Sequence, residues 1–259
     1  MTGTYENFKK DFLQLSGIDL NSYKENQMKR RIENFILKNS ISGYDDFIGI
    51  LKKDAAMFDK FVEHLTINVS EFFRNPVQWN TLEQIIIPQL LEKFGRPLKI
   101  WSAACSTGDE PYSLAMVLSD FLPLNQIEII ATDLDREVLA KAKKGVYSDK
   151  SLKGIPEKYM KKYMKETGDG MFQVSEQLKS CITFKQHNLL KDPYPKGIHM
   201  IVCRNVMIYF TEEAKNDIYT EFADSLCNEG ILFVGSTEQI IGAAKYGYQS
   251  VQSFFYQKQ

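Results

Sequence analysis

The sequence predicts a doubly wound α/β domain with a mostly parallel sheet, preceded by an all-helical domain and interrupted by a small inserted β-subdomain. Three observations carry this prediction. From about residue 98 onward, short apolar runs that end in small or polar residues alternate with helical stretches, the pattern of a parallel sheet with helices on both faces. Before about residue 70, apolar residues recur only at helical spacing. Between Gly145 and Gln186 the alternation breaks into short strand-like pieces around Gly168-Asp169-Gly170.

Taken in order, residues 1–70 form the helical domain, with polar breaks near Ser16-Gly17 and from Ser40 to Gly43. Ser22 is the expected N-cap of a helix running to about Lys38. Its apolar stripe, Met28, Ile32, Phe35 and Ile36, follows i, i+4, i+7, i+8. Residues 71–97 are expected as a linker helix, and 98–259 as the sheet domain. Leu98 to Ala104, Ile127 to Thr132, Ile198 to Cys203 and Ile231 to Gly235 are its buried strands. Helices are expected from about Pro111, from about Arg136 and over 212–227. The insertion spans about 146–187, with a short helix from Leu152 to Lys165 and short strands at Phe172 to Val174 and Ile182 to Phe184. Tyr246 to Tyr256 is strand-like and expected as a terminal hairpin on the sheet edge.

Composition narrows the class. The 259 residues are 44% hydrophobic and 25% charged, with a formal net charge of −1. That is an ordinary globular balance, without the field that draws a protein to nucleic acid or an anionic membrane. No stretch approaches the roughly 20 apolar residues a membrane span needs, and Met1 to Asp11 lacks a signal-peptide core. The four cysteines (105, 181, 203 and 227) include no Cys-x-x-Cys, and the three histidines (64, 187 and 199) have no metal-ligand spacing. A reduced cytoplasmic protein without metal is expected.

Two stretches carry chemistry. Ile201-Val-Cys-Arg-Asn-Val-Met-Ile-Tyr-Phe210 is an apolar strand ending in a polar pair. Lys99-Ile-Trp-Ser-Ala-Ala-Cys-Ser-Thr-Gly-Asp-Glu-Pro-Tyr-Ser113 is a strand, a small-residue loop and a helix start. Ligands of open α/β sheets sit at the carboxyl ends of strands, so both read as pocket walls. Ala103, Ala104, Ser106 and Gly108 are small enough for close approach of a ligand. The loop is not Gly-x-Gly-x-x-Gly and contains no Gly-Lys-Ser/Thr. Glu110 would repel a phosphate and suits a cofactor carrying an ammonium group, although acids at a helix N-terminus are common in their own right. Asp133 ends the second strand, where a carboxylate commonly accepts from ribose hydroxyls. Asp135 is the expected N-cap of the following helix. Asn205 offers both a donor and an acceptor.

These stretches resemble the chemotaxis receptor methyltransferases of the CheR type. Four segments carry the resemblance: Thr66-Ile-Asn-Val-Ser-Glu-Phe-Phe-Arg74, Trp101 to Ser113, Ala131-Thr-Asp-Leu-Asp135 and Cys203-Arg-Asn-Val-Met-Ile-Tyr-Phe210. It covers nearly the whole chain. The resemblance implies the sheet of an S-adenosylmethionine-dependent methyltransferase. The implied activity is transfer of a methyl group to glutamate side chains of chemoreceptors in bacterial signalling, with S-adenosylhomocysteine as product. It implies cofactor contacts from Asn68, Ser70, Arg74, Glu110, Asp133, Asn188, Leu189, Asn205 and Val206. Arg74 would supply a charge needing an anion, and Tyr209 would stand beside the transferring methyl. Without the resemblance, Arg74 would be read as pairing with Glu71 on the surface, and Tyr209 as core packing.

Lys24, Arg31 and Lys38 lie at heptad spacing on one helix flank, with Lys29 and Arg30 nearby. Such a flank is usually only solvated, and residues 1–70 carry ten basic and ten acidic side chains. The resemblance gives Lys24, Arg30, Arg31 and Lys38 a role, docking on the acidic methylation helices of receptors. Some relatives bind a pentapeptide at the receptor C-terminus through a longer β-subdomain turn. The turn at Thr167 to Met171 is short here, so no such tether is expected. A monomer is expected, without nucleic-acid or membrane partners. An RNA methyltransferase would need a more basic domain, and a non-catalytic receptor-binding module would not need an intact set of cofactor positions.

Overall fold

A computed structural model describes residues 3–259. The helical domain comprises α1 (Tyr5–Ser16), α2 (Glu25–Lys38), α3 (Tyr44–Leu51) and α4 (Ala55–Leu65). Its core is aromatic. Phe8, Phe12, Phe35, Phe47 and Phe61 are all buried, with Phe47 and Phe61 edge to face at 4.7 Å. The stripe of Met28, Ile32, Phe35 and Ile36 is the buried face of α2, as its spacing predicts. Ser22 does not cap this helix. A short turn at Leu20–Ser22 intervenes, and Lys24 occupies the cap position.

The linker is only partly helical. Phe72 to Asn75 form an irregular turn in which Phe73 and Asn75 have positive φ. Then α5 (Pro76–Thr81) runs through a π turn into α6 (Ile87–Phe94).

The second domain is built on β1 (Leu98–Ala103), β2 (Ile127–Asp133), β6 (Ile182–Gln186), β7 (Ile198–Cys203), β8 (Leu226–Val234), β9 (Tyr248–Gln252) and β10 (Phe255–Lys258). The strand order is β6-β2-β1-β7-β8-β10-β9. The first five strands are parallel, and the terminal hairpin β9–β10 adds antiparallel. Alternate strand residues feed the two faces. Ile100, Ile129, Met200 and Phe233 enter one core cluster, while Trp101, Ile201, Leu232 and Val234 enter the other. Helices α7 (Asp109–Leu118), α8 (Arg136–Lys144) and α11 (Glu212–Ser225) provide crossovers. From β1 the chain proceeds to β2 and β6 on one side, and from β7 to β8 and the hairpin on the other. The order therefore reverses between β1 and β7, where an open sheet leaves a crevice at its carboxyl edge.

The inserted subdomain is smaller than the sequence suggests. It is a three-stranded sheet of β3 (Val146–Ser148), β5 (Met171–Val174) and β4 (Met164–Gly168). Ile182 to Phe184, expected within it, instead belong to β6 and pair with β2 at the edge of the main sheet. The helix expected from Leu152 to Lys165 covers only α9 (Glu157–Tyr163), because the chain turns into β4 at Met164, and a single helical turn, α10 (Glu176–Lys179), leads from β5 to β6. Likewise α11 stops at Ser225 and β8 begins at once. Among the described residues no helix is long and apolar enough to cross a membrane.

Candidate active site

The crevice between β1 and β7 opens into a pocket lined from both domains. Ala104, Cys105, Ser106, Glu110, Asp133, Asn188, Leu189, Asn205, Val206 and Tyr209 come from the carboxyl edge of the sheet; Asn68, Ser70 and Arg74 come from the linker. All nine expected cofactor contacts and both expected catalytic residues therefore share one cavity. Ile18, Leu20, Tyr23, Met28 and Leu65 add an apolar wall from the helical domain. Of that wall only Met28 falls on the apolar stripe read from spacing, and there as helix core; the other four carry no local signal of a pocket.

The loop after β1 is shaped by its small residues. Ala104 and Ser106 have positive φ, as does Gly108. A Cβ on Gly108 would meet the Cβ of Ala142 at 2.9 Å. The Ser106 amide thereby turns to donate to Asp133 Oδ2 at 2.8 Å. The Asp135 amide donates to Asp133 Oδ1 at 3.0 Å. Burial pushes the Asp133 carboxyl up to about 6, with these amides opposing the rise. At neutral pH it is an ionised acceptor facing the pocket.

Asp135 does more than cap α8. Its Oδ1 accepts from the amide of Glu137 at 2.8 Å, as the sequence predicts. Its Oδ2 reaches across to the linker and accepts from Thr66 Oγ1 and Asn68 Nδ2, both at 2.9 Å. Asn68 is thus fixed over the loop, with Ser106 Oγ donating to its Oδ1 at 3.5 Å. Ser70 stands beside the buried Asp109 carboxylate.

Glu110 accepts from Ser102 Oγ at 2.9 Å and lies 3.6 Å from the Arg204 guanidinium. Burial raises the Glu110 carboxyl and Arg204 lowers it. Arg204 is 7% exposed. It lies over the rings of Phe233 and Trp79 at 4.8 and 5.7 Å and donates to Gln78 Oε1 at 2.8 Å and Arg74 O at 2.7 Å. A guanidinium can stack and donate together, so Arg204 ties β7 to the linker. Sequence reasoning noted the Arg-Asn pair at this strand tip but did not single out Arg204.

The Arg74 guanidinium makes no ion pair among the described residues. It donates to the Val69 carbonyl at 3.3 Å and lines the pocket. The pairing with Glu71 that a surface arginine would suggest is not formed. Tyr209 lies in the field of Arg31 and Arg74; burial raises its hydroxyl's proton affinity and both cations oppose that. Asn188 closes its own turn, accepting from the Leu190 amide at 2.9 Å, and presents Leu189 to the cavity.

The helical domain is stitched to this site. The Lys24 amide donates to the Tyr209 carbonyl at 2.9 Å, and the Thr211 amide donates to the Ser22 carbonyl at 2.9 Å. The rings of Tyr23 and Phe210 pack at 5.0 Å. Of the four expected docking residues, Lys24, Arg30 and Lys38 are exposed. Arg31 is half-buried, and its guanidinium donates to the His64 carbonyl on α4. It is therefore partly a structural tie between helices, which periodicity cannot reveal. Among the described residues no group of acids, cysteines or histidines could hold a metal ion.

Residues 68–254 match the family described as CheR methyltransferase, SAM binding domain, and residues 3–66 match CheR methyltransferase, all-alpha domain. The chain is 45% identical to the chemotaxis protein methyltransferase of Listeria innocua, over 93% of this chain and 92% of that one. It is 31% identical to the chemotaxis protein methyltransferase of Escherichia coli, over 87% of this chain and 80% of that one. Among solved structures, a TehB-like SAM-dependent methyltransferase from Corynebacterium glutamicum matches with a TM-score of 0.39 at 16% identity, covering 70% of this chain and 92% of that one.

Proposed function

Because the chain belongs to the CheR methyltransferase family, we propose that its S-adenosylmethionine-dependent methyl transfer ends on glutamate side chains of chemotaxis receptors, giving methyl esters. S-adenosylmethionine supplies a methyl group activated on a sulfonium. Its ribose suits the Asp133 carboxylate, whose two oxygens each hold one backbone amide and keep lone pairs for hydroxyls. The flat face of its adenine ring suits the Leu189 side of the pocket. Its carboxylate suits Arg74, and its ammonium suits the acidic corner at Glu110. The residues present therefore fit the cofactor.

The observation that carries the glutamate reading is the cationic field of Arg31 and Arg74 at Tyr209 on the pocket wall, which suits an anionic acceptor that calls for no general base. The histidine lining it, His187, is held by a contact to the Pro193 carbonyl at 3.3 Å. A substrate carboxylate is already ionised at neutral pH, with a reference pKa of about 4.3, and needs none. What remains is alignment and exclusion of water, which the lid formed by the linker and the wall of Tyr23, Met28 and Leu65 would provide. The Tyr209 hydroxyl would stand beside the reacting carboxylate, and Arg74 with Arg31 would give that anion a favourable field. The exposed Lys24, Arg30 and Lys38 would meet acidic receptor helices.

Incubation of the protein with methyl-labelled S-adenosylmethionine and receptor-containing membranes tests this. Label on the receptors that is released by mild base is the expected result. Base-stable label, or label on RNA alone, would overturn the assignment.

A further inference from the structure

The segment from Asn205 to Tyr209 carries three pocket side chains on backbone that the sheet does not hold. β7 has ended at Cys203, and Asn205 has a φ of +62°. The chain then makes one short turn, Met207–Tyr209, with no side-chain cap from Val206 before it. Amides at such a start need acceptors from elsewhere. Glu238, in the turn after β8, supplies them. Its Oε2 accepts from the Asn205 amide at 2.6 Å and from the Gly235 amide at 2.8 Å. The amides of Met207 and Ile208 point at the same carboxylate from longer range. The side chain is 5% exposed, and no cation pairs with it among the described residues.

Gly235 is what admits the carboxylate. A Cβ there would lie 2.5 Å from Glu238 Oε2 and 2.9 Å from the Asn205 amide nitrogen. The Glu238 amide in turn donates to the Gly235 carbonyl at 3.0 Å, closing the turn that aims the side chain.

We propose that Glu238 is a positioning residue for methyl transfer: its carboxylate, let in by Gly235, holds the Asn205–Tyr209 turn so that Asn205, Val206 and Tyr209 face the pocket. This rests on the reading of the pocket as a methyl-transfer site. A buried carboxylate spent on backbone amides at this one turn, with no direct ion pair and only the field of Arg204 to offset it, is costly unless the turn's geometry matters, since burying a charge is unfavourable.

The test uses Glu238→Met, which keeps the length of the side chain but removes both carboxylate oxygens, so that the Asn205 and Gly235 amides lose their acceptor. Calorimetry with S-adenosylhomocysteine as probe should show affinity weakened about tenfold, and kcat on receptor membranes should fall at least about tenfold. KM for the receptor should stay within about twofold, because the basic flank of α2 is untouched. Gly235→Ala pushes on the same carboxylate from the other side and should reproduce the pattern. Folded Glu238→Met protein with wild-type probe affinity and kcat would overturn the role. So would folded Gly235→Ala protein with wild-type values, which decides the matter if the methionine variant does not fold. A rise in receptor KM matching the fall in kcat would point to general loosening and also overturn it. Wild-type protein that fails to bind the probe would instead overturn the reading of the pocket.

Discussion

Asp133 is where single-residue chemistry decides most. Its carboxyl is raised from the usual 3.8 to about 6 by burial, so the folded protein disfavours its ionised form. For the unliganded fold, the stability linked to this group is fully present below the unfolded value and is lost as pH rises through about 6. Ligand binding carries the opposite sign. The ionised form would accept from both ribose hydroxyls of the proposed cofactor, and protonation removes an acceptor. Affinity for S-adenosylhomocysteine should therefore hold near neutral pH and fall by roughly tenfold about one pH unit below the Asp133 value. Calorimetry across that range checks this. In Asp133→Asn the affinity should be low throughout and no longer vary over the same interval. A wild-type affinity that is flat with pH would exclude Asp133 from the contact.

At the scale of elements, α2 and the β4–β5 turn are the parts on which the proposed receptor contact is put to the test. The flank of α2 is a local patch on a domain of balanced charge, so its attraction acts at short range and is screened by salt. Receptor methylation should fall roughly fivefold or more between about 0.05 and 0.3 M salt. Reversing Arg30 and Lys38 to Glu should lower it further while leaving cofactor affinity unchanged. Arg31 is the poorer choice, because losing its bond to the His64 carbonyl would loosen α4. An unchanged rate in the double reversal would leave the flank merely solvated. The β4–β5 connection is only Asp169-Gly170, both with positive φ, a tight hairpin of the primed type. The outer edge of β4 is unpaired among the described residues, yet its residues after Met164 are exposed and offer no walls for alternate side chains. Receptors lacking their C-terminal pentapeptide should therefore be methylated as fully as intact ones. Micromolar binding of such a peptide, lost when residues 168–171 are altered, would contradict this.

For the molecule as a whole, stability and activity meet in the contacts that keep the helical domain closed over the pocket. The exposed Lys141–Glu63 pair at 2.5 Å joins α8 to α4 but contributes little in water. Asp135 is the stronger link, being 1% exposed and holding α8 with one oxygen and the linker with the other. Asp135→Ala removes a helix cap and leaves Thr66 and Asn68 without their acceptor. Together these should cost about 2–4 kcal/mol in urea unfolding. Cofactor affinity should drop as well, since Asn68 lines the pocket. Unfolding at the wild-type midpoint would show that Asp135 contributes nothing to holding the two domains together.

The two-domain layout, the parallel strands and the terminal hairpin were legible in the chain before folding, because periodicity and the small or polar residues at strand tips are local signals. So were the stretches that form the pocket, since Ser102 to Ser113 and Cys203 to Tyr209 combine apolar strands with polar ends that a buried core would not tolerate. The remaining features arise only from packing in three dimensions. That Ile182 to Gln186 join the main sheet depends on pairing with β2, which a short apolar run cannot specify. That Arg31 faces the His64 carbonyl, and that Ile18, Leu20 and Tyr23 wall the pocket, depends on how helices and domains dock on one another. Asp135, Arg204 and Glu238 were legible as single polar residues, but their partners lie at Thr66 and Asn68, at Trp79, Gln78 and Glu110, and at Asn205 and Gly235. Those contacts exist only once the chain has closed, because a buried charge is defined by what surrounds it in space and not by its neighbours along the chain.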